Sequence, residues 1–215
     1  MAYKAGTSSQ IIVGAAALFT YEAGELADAD LPPVVEDVSY KTTLTDDVDF
    51  RNVGYTMNGL EIVFQPDFGE VQVDQFLDVA RLYKQGMQVN LNTAFAEATL
   101  ENLLYSLAGR DEDLTTAVSG AFTGSPTLNL SAGEIGECPV ERGLVAVGPG
   151  TGNCAASESI ERVYVAYRAL SIESVTVSAK RDEPTMFEVS FRLLPSDTTS
   201  SYGKIVDRTL SLTSS

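Results

Sequence analysis

Between residues 87 and 109 the chain changes its period. Met87-Gln-Val-Asn-Leu-Asn-Thr-Ala-Phe95 alternates polar and apolar side chains, the repeat of a half-buried strand. The next stretch, Phe95-Ala-Glu-Ala-Thr-Leu-Glu-Asn-Leu-Leu-Tyr-Ser-Leu-Ala-Gly109, puts Leu100, Leu103, Leu104 and Leu107 on one helical face. Thr99 predicts an N-cap, and Gly109 a left-handed C-terminal cap. A strand feeding a short helix with one apolar face needs a sheet to receive that face. The expected fold is therefore mainly β, a sandwich or barrel with one flanking α-helix over about residues 99–108.

Other stretches extend this expectation. Gln10–Tyr21 reads as a first strand. Asn58-Gly59 between extended runs predicts a hairpin, with Leu60, Ile62 and Phe64 sharing a face. Glu70–Asp74 is a short extended piece, and Leu77–Lys84 fits a helical turn or a strand. Ser125–Ala132, Gly143–Val147, Ile160–Ala169 and Thr185–Leu194 read as strands. Leu170–Lys180 reads as another, with Ile172, Val175 and Val177 toward a core and a bulge near Glu173. Asp182-Glu-Pro184 supplies a turn. At 215 residues and 44% apolar composition, one large β domain can fold without staples.

Charge is distributed unevenly. The chain carries 30 acids against 14 Lys and Arg, a net charge of −16. Residues 22–50 hold Glu22, Glu25, Asp28, Asp30, Glu36, Asp37, Asp46, Asp47 and Asp49 against Lys41 alone. This segment is expected to be a solvated excursion, solubilising or docking, with an extended ribbon at Val34–Leu44. The charge balance argues against binding to the outside of nucleic acid, where cations must neutralise phosphates. Nucleic acid passing by is compatible with it, because a polyanion does not adhere to an acidic wall. Ile11–Phe19 and Ala27-Asp-Ala imitate a signal peptide, but an acidic stretch intervenes between them. The apolar run is too short for a membrane helix.

The residue inventory removes most catalytic chemistry. There is no histidine, so histidine-based triads and ordinary zinc centres are excluded. Gly148-Pro-Gly-Thr-Gly152 lacks the Gly-Lys-Ser/Thr ending of a phosphate loop. Asp46-Asp-Val-Asp49 lacks the glycine and distal glutamate of a calcium loop. No enzyme activity, cofactor or metal is expected. Cys138 and Cys154 flank the strand at Gly143–Val147 and either form a disulfide or stay reduced in a cytoplasm.

Four pieces, in order, resemble the major tail tube proteins of long-tailed, siphovirus-type bacteriophages. They are Asn52-Val-Gly54-Tyr, Asn58-Gly59-Leu, Glu97-Ala-Thr-Leu-Glu-Asn-Leu103 and Phe187-Glu-Val-Ser-Phe-Arg-Leu-Leu-Pro195. The resemblance runs over residues 50–208, and Ile11–Tyr21 fits the family's opening strand. Phe50-Arg51 stands where that family often has a tryptophan. The resemblance implies a single tail tube domain over residues 1–215, built as a β-sandwich. Six subunits would join their inner sheets into a ring, and rings would stack into a hollow tube around a tape-measure protein. A tail terminator and distal tail or baseplate proteins would close its ends. Viral DNA would pass without specific binding, and assembly would occur in a bacterial cytoplasm before residence in the virion.

On this view 22–50 is the loop that contacts the adjoining ring, and 1–9 and 207–215 are bridging arms. Deleting 24–48 would leave a folded subunit that cannot stack. Glu61, Gln88, Asn90, Asn92, Glu173 and Glu188 are the residues expected to line the bore. The alternatives are another ring-forming phage or type VI secretion tube or terminator protein, and an acidic cell-surface β-sandwich acting as an adhesin. The last would need a secretion signal.

Overall fold

The computed structural model describes residues 12, 14–72, 78–117, 122–132, 135–136, 138–151, 158–182 and 184–211. The expected arm at 1–9, the start of the first expected strand, Cys154 and residues 212–215 lie outside them. Among the described residues there are ten strands: β1 (Ala17–Tyr21), β2 (Phe50–Asn52), β3 (Thr56–Gln72), β4 (Val79–Phe95), β5 (Leu114–Thr116), β6 (Pro126–Leu128), β7 (Arg142–Pro149), β8 (Glu158–Ser171), β9 (Phe187–Leu194) and β10 (Gly203–Ser211). Two α-helices accompany them, α1 (Tyr40–Asp46) and α2 (Leu100–Ser106), where the sequence predicts one.

Eight strands form one antiparallel sheet in the order β2-β1-β7-β8-β9-β4-β3, with β10 also paired to β8. The long β8 serves two neighbours along one edge. Its first part pairs with β10, and Arg168–Ser171 pair with β9. The sheet thereby divides and folds over. Leu18, Leu144, Ala146 and Ala166 from one half meet Val89, Leu91, Phe95, Val189 and Phe191 from the other in a single core. The alternating residues of β4 and β9 supply that core from one face only, as their period requires.

β1, β7 and β8 are buried on their second face as well. There Phe19, Tyr21, Val145, Val147, Val163, Val165 and Tyr167 pack under Leu26, Tyr40, Leu44 and Phe50. The near-continuous apolar run Gly143-Leu-Val-Ala-Val147 reflects this two-sided burial. The acidic segment is therefore a third layer, and the expected free excursion is corrected. Leu26 and Leu44 are fully buried, each contributing about 1.5–3 kcal/mol.

The ribbon expected at 34–44 is instead a loop and α1. A helix this short does not stand alone. Glu161 of β8 holds its start: its carboxylate accepts the Tyr40 N–H at 3.0 Å and the Ser39 hydroxyl. That satisfies a first-turn N–H which no helical carbonyl can reach.

Three further expectations are corrected. Asn58-Gly59 is not a hairpin turn. Both residues have positive φ, 64° and 72°, but they form a bulge inside β3, between the pairs Met57/Ala94 and Glu61/Asn92. The hairpin lies further on, between β3 and β4.

The stretch 172–180 contains no strand. Ile172 and Val177 are exposed, and Val175 alone of the three touches the core. At the C-terminus, the expected arm begins as β10, paired to β8 through Ser211. Gly203-Lys-Ile-Val-Asp-Arg-Thr-Leu210 carries the β-branched residues that favour a strand.

Candidate functional site: a polar sheet face

One sheet face is polar and, among the described residues, partly open: Glu61, Val63, Gln65, Glu188 and Arg192 are exposed, Gln88, Asn90 and Asn92 half-buried, and Ser190 and Ala94 buried. On β3, β4 and β9 the residues opposite the core side fall into cross-strand rows. Glu61, Asn92 and Ser190 form one row, and Val63, Asn90 and Arg192 the next. Gln65 stands opposite Gln88, and Ala94 opposite Glu188. Five of the six expected bore residues therefore share this face: Glu61, Gln88, Asn90, Asn92 and Glu188. Glu173 does not, because it lies beyond the end of β8.

Four side-chain amides, Gln65, Gln88, Asn90 and Asn92, stand on the face, and hydrogen bonds run along it. The Ser190 hydroxyl donates to Asn92 Oδ1 at 2.8 Å, and Gln88 Nε2 donates to Asn90 Oδ1 at 3.3 Å. Its ionisable groups in those rows are Glu61, Glu188 and Arg192, so one negative charge is left over. Arg192 joins this face beside the expected residues, because the alternation of Phe187–Leu193 places it opposite Asn90. The acid excess of the chain sits elsewhere. All nine acids of 22–50 are at the surface. Glu22 accepts from the Tyr105 hydroxyl, and Asp28 accepts from Lys204 Nζ and the Tyr167 hydroxyl. These two bonds hold the Asp28 carboxyl below the ordinary aspartate range.

Two of the motifs quoted above are one structural unit. Asn52 Oδ1 accepts the Gly54 N–H, and Glu97 accepts the Tyr55 N–H, each at 2.9 Å. Gly54 has φ 85°, and a Cβ on it would lie 2.2 Å from the Glu97 carboxylate. Only glycine fits this crossing. Asn102, fully buried, donates to the carbonyls of Val53 and Glu97, accepts from Arg51, and bonds Thr99 through its backbone N–H. The strand-to-helix junction is thus fixed against β2 by hydrogen bonds.

The same bonds explain how α2 sits. Thr99 is its N-cap, as expected. Of the four leucines assigned to the packing face, Leu104 is buried, Leu100 and Leu103 are half-buried, and Leu107 is exposed. The buried face is completed by Asn102, Tyr105 and Ser106. Tyr105 lies between the guanidiniums of Arg51 and Arg142, 5.0 and 4.5 Å from its ring centre, favourable geometry for cation–π contacts. Burial and its bond to Glu22 raise the Tyr105 pKa. Ser106 offers its carbonyl to the Ser171 hydroxyl. The helix thus packs on partnered polar groups as well as on apolar surface.

At the end of α2, Ala108 takes the left-handed position at φ 52°. Gly109 follows it and donates to the Leu104 carbonyl, so the expected cap is one residue out.

Among the described residues no group of three acidic or sulfur ligands gathers to hold a metal ion. No helix is long and apolar enough to cross a membrane. A cavity of about 440 Å³ beside α2 is lined by Leu104, Leu107, Leu128, Leu130, Val140 and the exposed Cys138. No imidazole in this chain can activate that thiol. Comparison with models of known protein families gives no match, and neither does comparison with curated proteins.

Proposed function

We propose that this chain is a structural subunit of a phage tail tube, with the β3–β4–β9 face turned to the bore. Six copies would form a ring and rings would stack. A tape-measure protein would occupy the bore during assembly, and DNA would pass through it later. A terminator and distal tail proteins would meet the tube ends. The observation that carries this reading is the polar, partly open face of β3, β4 and β9 on a sheet whose other side is core. A conduit for DNA needs a polar wall without a positive field, because cations there would trap phosphates. Rows of Asn and Gln with one surplus negative charge meet that need.

The interlocking of the Asn52-Val-Gly54-Tyr and Glu97–Leu103 pieces supports the reading. So does β3, a long strand with one edge unpaired among the described residues. Such edges invite further strands, and closing a ring removes them. The layer 22–49 covers the face away from the bore, so on this proposal it forms outer wall and gives up the inter-ring role expected of it.

Cysteine labelling tests the orientation. In a background with Cys138 and Cys154 changed to Ser, Asn92→Cys and Glu36→Cys are each assembled and exposed to a bulky maleimide. The proposal expects Glu36→Cys to react and Asn92→Cys to be protected until the tubes are dissociated. Equal labelling of both in intact assemblies would reverse the assignment of the bore.

A further inference from the structure

The acidic layer is fastened unevenly. Leu26 and Tyr40 are buried, and between them no residue of 27–38 is. The Leu26 N–H donates to the Tyr167 carbonyl of β8 at 2.9 Å, and Glu161 of β8 holds the Tyr40 N–H. Among the described residues, the backbone–backbone hydrogen bonds of 27–38 stay inside it, from Asp30 to Ala27 and from Val38 to Val35. Of its apolar side chains, Leu31 reaches the second core, whereas Val34 and Val35 are 62% and 48% exposed.

Beneath this flap lies a cavity of about 310 Å³, lined by Leu31, Pro32, Val34, Val163, Val165 and Val206, among others. Val206 is 41% exposed despite the cover. The flap therefore lies over the sheet without close packing, and atoms facing a void lose their contacts on that side.

β10 supplies the attachment that packing does not. The register sets Lys204, Val206 and Arg208 beside Val165, Val163 and Glu161, and period two turns all six toward the flap. The Arg208 side chain is 9% exposed and lies 3.4 Å from the Glu161 carboxylate. It donates to the carbonyls of Val38 and Val35 at 3.1 and 2.6 Å. Lys204 Nζ donates to Asp28 at 2.6 Å. The Tyr167 hydroxyl also donates to Asp28, and the Tyr40 hydroxyl to the Pro32 carbonyl. Both ends of the flap thus hang on cations of one strand. That strand pairs with β8 and with no other among the described residues.

We propose that 27–38 is a lid latched shut by β10. It opens as a unit between Leu26 and Tyr40 and uncovers Val163 and Val165 while the rest of the layer stays packed. Few buried apolar contacts put such a segment at the low end of local stability. The bonds from Arg208 and Lys204 raise it from there. Whatever draws these two side chains aside, including loss of β10 from β8, opens the lid. The latch lies within one subunit and does not depend on self-assembly.

The test uses the full chain with Cys138 and Cys154 changed to Ser. Val163→Cys places a thiol under the lid. Val145→Cys places one in the second core, one strand further from β10. Both are exposed to a thiol reagent well below the melting temperature. Adding Arg208→Met should speed labelling at 163 by at least about tenfold, as loss of hydrogen bonds from a charged group requires, and leave 145 unchanged.

Arg208→Lys keeps a cation beside Glu161 but lacks the fork that bonds two carbonyls at once. It should keep the parent melting temperature and speed labelling at 163 by about threefold, a smaller loss of the same bonds. This variant decides the matter if Arg208→Met does not fold. An unchanged rate at 163 would mean that there is no latch. Equal acceleration at 163 and 145 would mean that the layer leaves as a whole, and either result overturns the lid.

Discussion

The strands β7 and β8 and the outer parts of β3 and β4 are both antiparallel ladders of similar composition, yet they have opposite surroundings. β7 is buried along both faces from Arg142 to Gly148, under the acidic layer on one side and against β4 and β9 on the other. The ribbon is exposed along both faces apart from its glycines and Val79. The first region derives its order from the subunit and holds the fold. The second keeps apolar residues that the subunit does not use. The stability of the subunit thus rests on the first region and not on the second, and substitutions should separate the two.

The largest contrast comes from removing whole elements. Deleting 24–48 strips Leu26, Tyr40 and Leu44 from the second core and should abolish the cooperative melt. Replacing 67–85 by a two-residue turn should leave the melting temperature within a few degrees. Circular dichroism on heating checks both, and a sharp melt of the 24–48 deletion would show that the layer is dispensable.

Single truncations should repeat the pattern at smaller scale. Leu44→Ala should cost about 3 kcal/mol by leaving a cavity, whereas Leu82→Ala should cost under about 0.5 kcal/mol, as at open surface sites. Urea unfolding measures the difference, and equal losses would erase the distinction between the two regions.

Next in size is Asn102→Ala, which leaves the Val53 and Glu97 carbonyls and the Arg51 guanidinium without their shared partner. About 2–3 kcal/mol should be lost. Ala108→Gly should do the reverse. It relieves a left-handed alanine and should add about 1 kcal/mol, read as a rise in the urea midpoint.

The smallest effect concerns pH. Lys204 and Tyr167 lower the Asp28 pKa, so their stabilisation is complete above about pH 4, where a free aspartate is ionised. It is lost as pH falls through the lowered value of the folded state. Asp28→Asn should flatten that part of the acid limb, and an unchanged slope would mean that the contact carries no linkage.

What could be read from the sequence follows from these surroundings. Period two over Met87–Phe95 and Phe187–Leu193 gave the right faces because one side is core and the other open. Thr99 was legible because an N-cap is a local interaction. The helix face is not legible from leucine spacing, which carries no information on Asn102, Tyr105 and Ser106, whose partners come from β2, from 22–49 and from β8.

The acidic layer is hidden for a related reason. Leu26, Tyr40 and Leu44 are sparse among acids, and nothing local shows that the apolar outer face of β7 and β8 needs them. Asn58-Gly59 had the right backbone angles but the wrong consequence, since a bulge and a turn draw on the same residues. Of the expected bore residues, those in regular strands came together, and Glu173, placed by a strand that does not form, did not.

The most direct measurement is electron cryomicroscopy of the concentrated full chain. The account predicts hollow tubes or stacked six-membered rings with Gln88, Asn90 and Asn92 on the bore wall and the 22–49 layer outside. Assemblies with the 22–49 layer facing the bore, or monomers at every concentration, would contradict it.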